Sequence, residues 1–273
     1  MIRSRLLRPL FAVILALTPL QAAAQTEGRR LADIVQLELL PGWRRDDGTH
    51  MAALLIRLAP GWKTYWRSPG EAGIPPQLQM RERRGMRGVE LIWPVPDVFY
   101  TNGYRSIGYA DDLLLPLQVT LAPGQGDLRI SGSISIGVCQ DVCMPVALDI
   151  AGTLRPGGSP DPRIVAALAD RPRTASEAGV GTVICRLTPI ADGLRVQARI
   201  PVAPQGATET VVFELPEEGT WVSEAQATRS GGTITATAEI IPADAGPFAM
   251  NRSTLRITVL GDGSAIDIRG CRG

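Results

Sequence analysis

The chain has 273 residues, with 28 basic and 27 acidic side chains, one histidine and four cysteines. Charge this balanced excludes nucleic acid or an anionic membrane as a partner held by bulk electrostatics. A single histidine leaves no His-rich metal cluster, and His50 as the one possible base for a Ser or Cys hydrolase.

Residues 1–24 read as an export signal: Arg3, Arg5 and Arg8, an apolar stretch over 10–20, then Ala22-Ala23-Ala24 as a cleavage site. The stretch is shorter than the ~20 residues a membrane helix needs. An exported protein is expected, in a compartment where disulfides persist. Strand patterns follow over 31–40, 51–58, 89–93, 113–121 and 128–138, separated by Gly-, Pro- and Asp-rich turns. His50 adjoins the polar run Arg44-Arg45-Asp46-Asp47-Gly48-Thr49, so a solvated loop histidine is expected.

The segment Arg155-Pro156-Gly157-Gly158-Ser159-Pro160 has a linker's composition. A short helix should follow it. Asp161 is placed to cap it, Pro162 suits its first turn, Ile164, Val165, Ala167 and Leu168 supply an apolar face, and Arg171-Pro172 ends it. Alternating patterns then resume at 194–200 and 234–240, with further strands at 211–215, 221–227, 255–260 and 265–269. The predicted architecture is all-β: two immunoglobulin-like antiparallel β-sandwiches, over 27–155 and 180–272, joined by a helical linker at 156–179.

The strand over 128–138 runs into Cys139-Gln140-Asp141-Val142-Cys143-Met144-Pro145. Alternation gives Cys139 the parity of Ser131, Ser133 and Ser135, which predicts the solvent side and favours chemistry over core filling. Four cysteines allow three pairings; position favours Cys139 with Cys143 and Cys185 with Cys271. In the chain-entropy model the long loop between Cys185 and Cys271 yields about 4–5 kcal/mol, and the five-residue loop about 2. The long bridge therefore reads as structural. Residues four apart in a straight strand lie roughly 13 Å apart, while bridged Cα atoms lie within about 7 Å, so the chain must bend through 140–142 into a tight, exposed ring. Exposed disulfides tend to be the labile ones.

Two other readings stand beside a redox pair: a local staple at a strand end, and a soft-metal site in which Met144 joins the two sulfurs, as Cu(I) would favour. No His or Lys adjoins the pair in sequence, and Asp141 would raise a thiol pKa. The pair thus reads as a disulfide waiting to be attacked, gated by its partner.

Residues 61–73, Gly-Trp-Lys-Thr-Tyr-Trp-Arg-Ser-Pro-Gly-Glu-Ala-Gly, resemble the tryptophan-rich signature of the periplasmic amino-terminal region of DsbD-type and ScsB-type disulfide reductases. Residues 93–100, Trp-Pro-Val-Pro-Asp-Val-Phe-Tyr, then Gly108-Tyr109 and 113–117, follow in the order of that family, with Cys139 and Cys143 where its redox pair belongs. The resemblance implies a periplasmic immunoglobulin-like domain that passes electrons from a thioredoxin-like donor to protein acceptors. It requires no cofactor, metal or small-molecule substrate. By the same resemblance Cys143 forms the mixed disulfide, Cys139 resolves it, and Phe99, with Asp97 beside it, belongs to an aromatic cap; plain packing is the other reading of Phe99. The family's membrane and thioredoxin-like regions find no counterpart before Gly273, so a separate membrane electron carrier is expected, or a drift to a stress- or copper-linked binding role. A non-redox β-sandwich binding module with two structural disulfides is the alternative function.

Overall fold

The structure, a computed structural model, describes residues 30–81, 84–101, 103–217, 219–243 and 249–273. The expected export signal lies outside these residues.

A one-turn helix, α1 (Leu31–Ile34), precedes β1 (Val35–Arg44), so the pattern over 31–40 divides between two elements. The first half continues with β2 (Thr49–Leu58), β3 (Lys63–Tyr65), β4 (Gln77–Met80), β5 (Met86–Leu91), β6 (Asp97–Thr101), β7 (Tyr104–Tyr109), β8 (Leu113–Leu121), β9 (Leu128–Cys139) and β10 (Cys143–Leu154). One sheet runs β1-β2-β8-β5; the facing sheet runs β10-β9-β3-β7-β6, with β4 on β9. All these pairings are antiparallel. Between the sheets lie Leu54, Ile56, Trp66, Leu115, Leu117, Ile134 and Ile136, all essentially without solvent exposure.

β2 is buried on both faces, and its neighbours explain why. Ala52, Leu54 and Ile56 face the sandwich core, while Met51, Ala53 and Leu55 meet Ile164 of the linker helix α2 (Pro162–Ala169). Asp161 caps that helix as expected, its Oδ1 accepting from Arg163 N at 2.9 Å. Only part of the expected apolar face is buried: Ile164 is fully covered, whereas Val165 is 46% exposed, because a single turn-spaced stripe is enough to cover β2.

His50 is the clearest departure from the sequence reading. It is fully buried within β2, and its Nε2 donates to Pro41 O at 2.6 Å, while Nδ1 has no partner. The polar turn before it is exposed, but His50 shares the parity of Ala52 and Leu54 and so turns inward.

The second half comprises β11 (Arg173–Thr174), β12 (Ile184–Ile190), β13 (Gly193–Pro201), β14 (Thr210–Glu214), β15 (Trp221–Val222), β16 (Gln226–Ser230), β17 (Thr233–Ile241), β18 (Arg256–Gly261) and β19 (Ser264–Arg269). They form sheets β11-β19-β18-β14 and β12-β13-β17-β15, with β16 also on β17; among the described strand pairs β11–β19 is parallel, and an isolated parallel bridge joins Ile184 to Arg272. In β17 the buried side chains alternate strictly, placing Ile234, Ala236, Ala238 and Ile240 in a second core.

The halves pack together. Val212, Leu260 and Ala265 join the first core. Arg67 forms a two-pronged pair with Glu214 (Nε–Oε1 2.9 Å, Nη2–Oε2 3.0 Å) while its guanidinium lies 3.9 Å over the Trp66 ring.

Candidate redox site

β9 and β10 form a hairpin whose turn is Gln140-Asp141-Val142, and Cys139 and Cys143 are direct cross-strand partners with Cα atoms 4.2 Å apart. The expected bend is present, and the two sulfurs are bonded. The turn projects into solvent, with Val142 70% exposed.

The two cysteines sit in different surroundings. Cys143 is exposed, but Cys139 is only 6% exposed, which corrects the expectation that it faces solvent. Its parity with the serines of β9 holds; at this end of the strand, however, that face is roofed. The roof is Tyr65, itself 6% exposed, whose hydroxyl lies 2.7 Å from Cys139 Sγ and 3.1 Å from Cys143 Sγ. Disulfide sulfurs carry no proton, so the phenol is the donor. Burial pushes the Tyr65 pKa up, keeping the phenol protonated as that donor.

Glycine makes the roof fit. A Cβ at Gly137 would stand 2.7 Å from both the Tyr65 ring and the Ile74 side chain, closer than packing allows. Thr64, on the opposite face, donates from Oγ1 to Gly137 O at 2.9 Å and locks β3 onto β9.

Register assembles the rest. Lys63 is the cross-strand partner of Cys139, Tyr65 that of Gly108, and Gly108 that of Asp97. Directly paired residues share a face, and alternate residues of one strand do too. Cys139, Cys143, Lys63, Tyr65, Asp97 and Phe99 thus belong to one face of the sheet. Phe99 is half-buried, and Lys63 Nζ lies 4.6 Å from its ring centroid. Asp97 is exposed at the far edge; its charge is felt at Asp170 and Tyr109, where it raises both pKa values beyond the larger effect of burial. The candidate cap residues therefore share the face of the sulfurs, with Phe99 linked to it through Lys63 and Asp97 exposed at its outer edge.

Met144 pairs with Val138 and packs partly buried against the core, on the other face from the cysteines. The three sulfurs of the soft-metal reading do not converge. Cys185, fully buried in β12, bonds Cys271, with Cα atoms 5.7 Å apart; Cys185 N donates to Arg272 O at 2.6 Å and fastens the last residues to β12.

Tyr65 and Lys63 were not assigned roles by the sequence reading. A signal was present: within 62–66, Trp62, Thr64 and Trp66 are buried core positions, so period two sends Lys63 and Tyr65 to the other face. What one strand could not reveal is that Cys139 lies across from it.

Residues 36–153 match the family model described as thiol:disulfide interchange protein DsbD, N-terminal. The resemblance read from the sequence thus holds over these matched residues, and the match supports a thiol–disulfide interchange role in general. Among solved structures, the N-terminal periplasmic domain of ScsB from Proteus mirabilis is similar, with 22% identity, a TM-score of 0.64, and coverage of 88% of this chain and 94% of that one. At that identity the likeness shows the fold, which spans both sandwiches. None of the curated proteins matches the chain. Among the described residues, no helix is long and apolar enough to cross a membrane.

Proposed function

We propose that the chain is a periplasmic thiol–disulfide relay, with residues 27–155 as its working domain and 180–272 as a second sandwich. The Cys139–Cys143 pair takes two electrons from a thioredoxin-like donor and passes them to a protein acceptor. The observation that carries this reading is the asymmetry of the pair: an exposed Cys143 bonded to a buried Cys139 beneath a hydroxyl donor.

The chemistry follows from that asymmetry. A donor thiolate attacks Cys143 Sγ, the exposed sulfur; the Cys139–Cys143 bond breaks and Cys139 leaves as a thiolate. The donor's second thiol then attacks the mixed disulfide, releasing Cys143 and departing oxidised. Toward the acceptor the sequence reverses: Cys143 thiolate attacks, and Cys139 resolves. Tyr65 donates to whichever sulfur carries charge, which stabilises each thiolate as it forms. Phe99, with Asp97 at the outer edge, serves as the cap that keeps other oxidants from the reduced pair. Electrons reach the donor from a separate membrane carrier.

The bridge between Cys185 and Cys271 plays the structural part. It closes a separation of 86 residues and is buried at one sulfur.

The test is a trap. Cys139→Ala leaves Cys143 unable to resolve, so expression in the native compartment should accumulate a covalent partner, released by reductant and absent from the Cys139→Ala/Cys143→Ala double variant. Recovery of no such adduct would overturn the relay.

A further inference from the structure

Lys63 has no part in the relay as described, yet it is the cation directly across from the buried sulfur. We propose that Lys63 is a positioning residue for exchange at Cys143: its ammonium holds the Phe99 ring while the disulfide is closed, then turns to the Cys139 thiolate that the reaction releases. This inference rests on the proposed relay and names the side chain that couples its chemistry to its cap.

Attack at Cys143 places the departing electron pair on Cys139 Sγ, a site 6% exposed. A thiolate without solvent needs donors or a counter-charge. Among the described residues, the loop that packs on Tyr65 carries the exposed carboxylate Glu71, and the sheet face itself offers the following charged or titratable groups. β3 supplies Lys63 and Tyr65, β6 supplies Asp97 at the far edge, and the turn supplies Asp141; on β10 the next residue of the same parity is Pro145. Tyr65 can donate one hydrogen bond. Lys63 alone of these brings positive charge.

In the disulfide form both sulfurs are neutral and the ammonium rests over Phe99, 4.6 Å from the centroid. That is a weak hold between a cation and a ring face. A thiolate nearby offers the same ammonium a full opposite charge. The four-carbon stem of lysine lets it change partner without moving the backbone. Release of Phe99 then follows from bond cleavage itself, and reoxidation returns the ammonium to the ring.

Two measurements test this. In a Cys143→Ser background, the Cys139 thiol pKa is read from thiolate absorbance; Lys63→Met should raise it by about one unit and Lys63→Arg should leave it low. In a Phe99→Ala background, where no cap remains to be freed, Lys63→Met should slow reduction by a small dithiol about threefold, because a leaving thiol of higher pKa departs more slowly. An unchanged Cys139 pKa, or an unchanged rate in the Phe99→Ala background, would overturn the assignment. If dithiols cannot reduce the wild-type pair, the relay itself fails. The pKa measurement on Cys143→Ser does not depend on that, so the two failures remain distinct.

Discussion

Replacing Tyr65 by phenylalanine removes a single oxygen and leaves the aromatic roof over the disulfide in place. That oxygen lies 2.7 Å from one sulfur and 3.1 Å from the other. Against a closed disulfide the acceptors are neutral sulfurs, and a net contribution near 0.5–1 kcal/mol is reasonable. Against a thiolate the bond is charge-assisted and contributes about 1.5–3 kcal/mol. The hydroxyl therefore favours the reduced, ionised pair by roughly 1–2 kcal/mol, which makes the couple more oxidising than it would otherwise be. Tyr65→Phe should lower the reduction potential by roughly 20–40 mV, since about 30 mV corresponds to 1.4 kcal/mol for two electrons. It should also raise the pKa of the more acidic thiol by about one unit. The assay is equilibration against a glutathione redox buffer with acid quenching, at a pH above the thiol pKa and again well below it. The shift should shrink at the lower pH, where no thiolate is present to favour. An equal potential for the two proteins at high pH, with unfolding midpoints unchanged, would refute the reasoning.

The two disulfides should differ sharply in what they contribute to folding. Removing Cys185 and Cys271 together should cost about 4–5 kcal/mol in denaturant unfolding, and removing Cys139 and Cys143 about 2, by the closed-loop lengths; equal costs would contradict the division into structural and working bridges. His50 sets a pH dependence. Burial, the largest influence, holds its pKa below the usual 6.5, beyond the opposing pull of the Pro41 carbonyl. The unfolded chain then binds the proton more readily than the folded one, so stability should be complete above about pH 6.5 and decline as pH falls toward the depressed value. His50→Gln keeps a donor for Pro41; the wild-type-minus-variant difference in unfolding free energy should slope upward between about pH 5 and 7, and a flat difference would count against the assignment.

Much of the fold was legible in the chain because alternation survives wherever one face of a strand meets a core. The pattern over 113–121 coincides with β8, and those over 194–200 and 234–240 lie within β13 and β17. The short strands β3 and β4 and the hairpin β6–β7 were not marked out, since three to six residues carry too little periodicity to stand apart from loops. The bend at 140–142 was readable from covalent geometry alone. The burial of Cys139 was not, because its roof comes from Tyr65, 74 positions away.

What the sequence determined by itself was the covalent and periodic skeleton: an all-β chain, a cysteine pair forced into a tight turn, and a second pair closing a long loop. The alternation and the tight turn depend on neighbours in the chain, where spacing is already distance; the long pairing followed from the even cysteine count once the close pair was taken. Tertiary structure decided the environment of each sulfur: which one water reaches, which hydroxyl touches both, which ammonium lies across. Such properties arise from the register between β3 and β9, strands brought together only when the core closes, and no local pattern records which residues will then stand opposite one another.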